Sequence, residues 1–193
     1  MNNKNVVKEI LLPTVVLTGI ALVVTALLAF TNAITLPIIE ENEQGSATAT
    51  RKEMIPDADK FEQVEVTEEW ATQYGCVDVY TAQNGAGTVI TVAEKGYNGE
   101  FTLMVGFNPD GAVVAYKALA QDETAGLGSN GFVSPFADQF TGKVPGSLTV
   151  VKGPAQGDNE ISAMTGATIT SKAVTQAIND AGAVFKASQK GAQ

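Results

Sequence analysis

The chain has no histidine and a single cysteine, Cys76, in 193 residues. Without histidine there is no Ser-His-Asp triad, no imidazole general base and no histidine-containing zinc site. One cysteine forms no disulfide within the chain and supplies no cysteine-ligated iron–sulfur cluster. It reads as a small buried hydrophobe. Basic residues are also scarce, 12 Lys and Arg against 21 Asp and Glu, for a net charge of −9. No basic stripe is present to neutralise phosphates, so nucleic acid is not an expected partner. No catalytic side chain and no metal ligand set is expected. Chemistry here must come from a bound cofactor, or from carboxylates and hydroxyls.

Charge is missing altogether between Glu9 and Glu40. The window holds an apolar run over 10–30, and about 20 apolar residues cross the hydrocarbon core as a helix. Inside a helix every backbone polar group is bonded within the segment, as lipid requires. Pro13 falls near the first turn, where a missing N–H costs little. A transmembrane helix is expected over 10–31. Lys4 and Lys8 precede it, and Glu40, Glu41 and Glu43 follow. The positive-inside rule then makes residues 1–9 cytoplasmic and places the rest outside, as a single pass in the cell (inner) membrane. A cleaved signal peptide is the alternative. The run is longer than a usual signal core, and Thr31-Asn32-Ala33 is a weak cleavage site, so a retained anchor is favoured. Residues 32–60 lack a hydrophobic period and read as a linker, with a short helix possible over 51–61.

From 61 to 193 the pattern is that of one globular domain. Residues 64–80 are ambiguous, helical around Trp70 and strand-like at Val77-Asp78-Val79-Tyr80. Strands are expected over 88–93, 101–107 and 112–119. Between the last two, Asn108-Pro109-Asp110-Gly111 is a turn, because proline presets φ and glycine permits φ > 0. A short helix is expected at 135–140 and a strand at 148–151. Apolar residues at 174, 177, 178, 181 and 185 then share one helical face. Grouped strands with helices at the ends give an α+β class, an antiparallel sheet with flanking helices.

Two stretches carry candidate chemistry. The first is Ser162-Ala163-Met164-Thr165-Gly166-Ala167-Thr168-Ile169-Thr170-Ser171-Lys172, leading into the last helix. Thr168, Thr170 or Ser171 can cap that helix. A helix start offers unpaired N–H groups and a positive dipole end, which favour a phosphate. Gly166 allows a tight turn close to such a group. Lys172 adds a mobile positive charge. An ordinary cap on a terminal helix fits these local residues equally well. The second stretch is Asp122-Glu123-Thr124-Ala125-Gly126-Leu127-Gly128. Its two glycines allow close approach to a flat ligand, Leu127 can face a ring, and Glu123 and Thr124 can supply polar contacts. A flexible loop fits that stretch too.

The order of motifs goes further. Gly96-Tyr97-Asn98-Gly99, Asp110-Gly111, Glu123 to Gly128, Phe140-x-Gly142-Lys143 and Thr165 to Ser171 follow one another as in the FMN-binding domain family. That family has Glu-Thr-Pro-Gly-Leu-Gly at the second stretch and Ser/Thr-Gly-Ala-Thr at the first. The resemblance covers most of 87–185 and extends, with the anchor, to the G subunits of Rnf-type electron transport complexes. The C subunit of the sodium-pumping quinone reductase is a relative, usually longer. Two positions depart from the pattern. Ala125 stands where the family has proline, which loosens the loop. Ser162 stands where many members have an aspartate that is read by the flavin transferase.

The resemblance implies FMN held covalently by a phosphoester on Thr168. It also implies a pocket made by Glu123, Thr124, Gly126, Leu127 and Gly128 together with Met164, Thr165, Gly166, Ala167, Thr170 and Lys172. The expected function is an electron-carrier subunit of a membrane complex coupling ferredoxin:NAD electron transfer to sodium or proton translocation. Expected partners are the other subunits of that complex and a flavin transferase for maturation. Such a chain is an enzyme only as part of the translocase, the flavin being its redox centre. Two other classes fit the same residues: a membrane-tethered flavin-binding or signalling module, and a stand-alone extracytoplasmic flavin reductase.

Overall fold

The computed structural model describes residues 11–191, backbone only over 36–44. The expected cytoplasmic segment 1–9, with Lys4 and Lys8, lies outside the described residues. The chain divides into two compact units after Thr48.

Helix α1 runs Leu12–Met54, and its residues 12–48 belong to the first unit. Its portion Leu12–Thr35 is long and apolar enough to cross a membrane, and none of its most apolar stretch is buried within the protein. Leu17, Leu22, Leu28 and Phe30 are each about two-thirds exposed. A row of large apolar side chains that the protein itself leaves uncovered is suited to lipid or to other apolar helices. The Thr31 and Thr35 hydroxyls donate to the Leu27 and Thr31 carbonyls at 2.9 and 3.0 Å, so both are satisfied within the helix.

The structure departs from the expected linker over 32–60. Helix α1 continues to Met54, and the second unit begins at Ala49 rather than 61. Missing hydrophobic periodicity does not forbid a solvated helix. Burial holds its end: Met54, with Ile55 and Ala58 just beyond it, is buried. The Arg51 guanidinium lies 3.6 Å above the Tyr80 ring centroid and 3.7 Å from the Asp78 carboxylate.

The second unit is α+β. Strands β1 (Phe61–Val64), β2 (Cys76–Ala82), β3 (Thr88–Lys95), β4 (Glu100–Phe107) and β5 (Val113–Ala120) form one sheet in sequence order, antiparallel throughout. Helix α2 (Glu68–Tyr74) is inserted between β1 and β2. The Thr67 hydroxyl accepts from the Trp70 N–H at its start, and Gly75, at φ 59°, ends it. These two devices resolve the ambiguous stretch 64–80. The expected turn closes β4 on β5, with Gly111 at φ 81° and Asn108 Oδ1 accepting from the Ala112 N–H.

Strand β4 is a continuous buried run, Leu103-Met104-Val105-Gly106-Phe107, because both faces of the sheet are covered. Helix α3 (Thr168–Gly191) packs on one face through Val174, Ala177, Ile178, Ala181, Val184 and Phe185. The other face receives Met54 and Ile55: a Cβ on Gly106 would lie 3.3 Å from Met54, and one on Gly87 2.6 Å from Ile55. Two short 3₁₀ turns, Gly128–Phe132 and Ala137–Phe140, lead to a parallel pair, β6 (Thr149–Val151) and β7 (Glu160–Ser162). Strands β1 and β7 and the first of these turns were not expected. They are short, and side chains rather than period hold them. Gln139, for instance, accepts from the Ser162 N–H at 2.8 Å and donates to its carbonyl at 3.3 Å, so that an amide side chain stands in for a neighbouring strand.

Candidate functional site

Helix α3 starts at Thr168, directly after Gly166 at φ 78° and buried Ala167. The turn before it is tied from within. The Ser171 hydroxyl accepts from the Met164 N–H at 3.0 Å and donates to the Ala167 carbonyl at 2.9 Å. The Thr170 hydroxyl turns away and donates to Glu123 Oε2 at 2.8 Å. The first rung of the helix is Ser171 N–H to the Ala167 carbonyl, 2.9 Å. None of the three expected capping hydroxyls therefore receives an N–H of the opening turn, among the described residues. The N–H groups of Thr168, Ile169 and Thr170 precede that rung and have no helical carbonyl to meet. Such a helix start is prepared for an anion.

A cavity of about 380 Å³ opens here. One wall is the helix start, Gly166 to Thr170. Facing it are Glu123, Thr124, Leu127 and Gly128 of loop 123–128, with Tyr97 from the β3–β4 turn. Eight expected site residues thus come together: Glu123, Thr124, Leu127, Gly128, Gly166, Ala167, Thr168 and Thr170. Two lining residues were not foreseen, Tyr97 and Ile169. Both are large and exposed, at 68% and 56%, and with Leu127 at 46% they give the cavity an apolar mouth. Tyr97 sits within the Gly-Tyr-Asn-Gly motif, which was the signal available for it.

Four expected residues stand outside the cavity lining. Gly126 is in a surface turn at φ 75°, its N–H donating to Ser129 Oγ at 3.0 Å and its carbonyl accepting from Asn130 at 2.9 Å. Met164 packs toward Gly131 and lines a second, open cleft with Phe136, Gln139 and Ser162. Thr165 and Lys172 are exposed at the head of α3. Gly128 lines the cavity, but its missing Cβ makes room for the Glu123 carboxylate rather than for a ligand: a Cβ there would lie 2.1 Å from Glu123 Oε2. Cys76 is buried, and burial first and the Asp78 charge second push its thiol up to about 11, which makes it inert. Tyr116 is buried too and donates to the Gly131 carbonyl at 2.5 Å, fixing the 3₁₀ turn behind the loop. Burial, then Asp138, raises its phenol far above the ordinary value.

These features fit a phosphate-bearing planar cofactor. The volume is within the usual range for ligand pockets, about 300–1,000 Å³. Its mouth is apolar, and Thr168, a hydroxyl-bearing residue, lines it at the unpaired helix end.

Comparison with known proteins agrees. Residues 96–183 match the FMN-binding domain family, and residues 1–54 match the RnfG N-terminal region. The chain is 38% identical over 151 residues to the G subunit of the proton-translocating ferredoxin:NAD(+) oxidoreductase complex of Clostridium ljungdahlii, covering 77% of this chain and 76% of that one. It is 37% identical over 174 residues to the G subunit of the Na(+)-translocating ferredoxin:NAD(+) oxidoreductase complex of Acetobacterium woodii, covering 83% and 84%. Among solved structures, Shewanella oneidensis NqrC shares the fold, with a TM-score of 0.52 and 19% identity over 67% of this chain and 69% of that one. The chain therefore belongs to the G-subunit family of ion-translocating ferredoxin:NAD(+) oxidoreductase complexes, an RnfG-type N-terminal region joined to an FMN-binding domain.

Proposed function

We propose that this protein is the membrane-anchored electron carrier of such a complex, with FMN attached through its phosphate to Thr168. One observation carries the reading: Thr168 lines the same cavity as Leu127, Tyr97 and Ile169, at a helix end whose first N–H groups have no helical carbonyl to meet. Thr168 would supply the ester oxygen. The opening turn of α3 would face the phosphate, and Lys172, one turn on, would add positive charge. Tyr97, Leu127 and Ile169 would shield the flat apolar part. FMN, when bound, supplies the redox centre that carries electrons between neighbouring subunits. A covalent tether suits a carrier, because losing the cofactor would break the chain of transfers. The two relatives are named for different ions at nearly equal identity, so the similarity assigns the carrier role and not the ion.

Maturation requires a flavin transferase. Co-expressed with one, the full chain should gain the mass of FMN less one water, a shift retained after acid precipitation. Thr168→Val keeps the shape and removes the oxygen, and acid-stable flavin on that variant would exclude Thr168 as the acceptor. Flavin that washes off the unmodified chain on denaturation would favour a binding module instead. On this reading the domain lies outside the cytoplasm, the side that the flanking charges of the anchor favour. A reporter active only outside the cytoplasm, fused after Gln193, should be active; activity of a cytoplasmic reporter alone would reverse the orientation.

A further inference from the structure

Glu123 is 7% exposed and carries a carboxylate in the cavity wall. A buried charge of this kind persists only where donors surround it. Its Oε1 accepts from the backbone N–H groups of Tyr97, at 2.6 Å, and Asn98, at 3.1 Å. Its Oε2 accepts from the Thr170 hydroxyl at 2.8 Å. One side chain thus joins the β3–β4 turn, loop 123–128 and the first turn of α3. Asn98 adds a second tie, donating to the Asp122 carbonyl at 2.6 Å.

Two glycines make the space. A Cβ on Gly96 would stand 2.1 Å from Glu123 Oε1, and one on Gly128 2.1 Å from Oε2 and 2.9 Å from the Thr170 hydroxyl. Neither glycine has a left-handed φ, so conformation does not demand them. Clearance around the carboxylate does.

Resting on the reading above, we propose that Glu123 is a positioning residue. It braces Tyr97, loop 123–128 and the head of α3 into one preformed wall, and its negative charge there disfavours reduction of the flavin. The brace explains why an acceptor side chain is needed: its neighbours are donors, and an apolar side chain would strand them. Glutamine tests the charge alone. Its oxygen can keep the two N–H groups, and the Thr170 hydroxyl can rotate to accept from the amide.

The first arm of the test uses the full chain carrying Thr168→Val, so that no flavin is attached. Hydrogen–deuterium exchange is read over the peptide holding Tyr97 and Asn98. Glu123→Ala should speed exchange there by about tenfold or more, whereas Glu123→Gln should leave it near the parent rate. Gly128→Ala should resemble Glu123→Ala, yet add less than its own effect when the two are combined, because the carboxylate it strikes hardest is gone and only the Thr170 hydroxyl and the Cβ of residue 123 stay close. Unchanged exchange in Glu123→Ala, or full additivity with Gly128→Ala, would overturn the brace. The second arm uses protein loaded by a flavin transferase. Glu123→Gln should attach flavin fully, melt as the parent does, and show a midpoint potential shifted to more positive values. An unshifted or more negative potential would overturn the role of the charge. If no chain, including the unmodified one, gains mass, the flavin reading fails and takes the role of the charge with it, while exchange alone still decides the brace.

Discussion

The two walls of the cavity are built differently. The head of α3 is organised by its own neighbours: Ser171 ties Met164 and Ala167, seven and four residues away. Loop 123–128 is held by remote partners. Glu123 reaches Tyr97, Asn98 and Thr170, 26, 25 and 47 residues distant. A wall built locally can present the proposed acceptor, Thr168, with little help. The facing wall, built from the β3–β4 turn and loop 123–128, instead depends on a buried polar junction that reaches across to Thr170.

The comparison can be broken first where both walls share a support. Ile178 is fully buried on α3 beneath the sheet. Ile178→Ala should cost about 2–5 kcal/mol, read as a fall in the urea midpoint of the soluble domain or the detergent-solubilised chain. Attachment and exchange at Tyr97 should then worsen together. If only one wall responded, the helix would not be their common base.

Next comes the local wall alone. Ser171 is fully buried, and Ser171→Ala leaves the Met164 N–H without its acceptor. A loss of about 1–3 kcal/mol is expected, with slower flavin attachment and no change in exchange at Tyr97 and Asn98. A change in exchange there would mean that the Thr170–Glu123 hydrogen bond carries the disturbance from the head of α3 to the facing wall. A smaller effect is expected at Gly126. A Cβ there meets nothing within 4 Å, but φ is 75°. Gly126→Ala should cost about 1–2 kcal/mol through backbone strain while leaving attachment and the flavin absorption bands intact. A shifted flavin spectrum would bring this residue back to the cavity.

The same division decides what was legible in the sequence. The apolar span, expected over 10–31 and observed as Leu12–Thr35, the turn at 108–111 and the head of α3 are local features, read from an apolar run, a Pro-Asp-Gly turn and a helix start. The grouped strands also gave the α+β class. What escaped reading was tertiary. Helix α1 extends to Met54 because Met54 and Ile55 find the far face of the sheet. Gly128 was expected to admit a ligand, and it admits a carboxylate. Glu123 was expected to offer a polar contact, and its oxygens are committed to protein donors. Strand β7 is completed by the Gln139 amide, which no period announces.

The smallest effect lies on α3 itself, at Asp180, where a local contact and a remote one oppose each other. Partial burial raises the Asp180 pKa, the hydrogen bond from Gln176 one turn earlier lowers it, and the Glu94 charge from β3 raises it again. The Gln176 amide donates at 2.9 Å. The net direction is upward, so the folded chain holds this proton more tightly than the unfolded one. For such a group the stabilising contribution is present below the unfolded value and is lost as pH rises through the folded one. At neutral pH the ionised Asp180 is therefore a slight burden. Asp180→Asn should raise the urea midpoint at pH 7, by no more than about 0.5 kcal/mol given the half-exposed position. The gain should shrink as pH falls toward the ordinary aspartate range, near 4. If the variant and parent differ by the same amount at pH 7 and pH 4, the Gln176 contact cancels burial and Glu94, and a variant less stable than the parent at pH 7 would mean that it outweighs them.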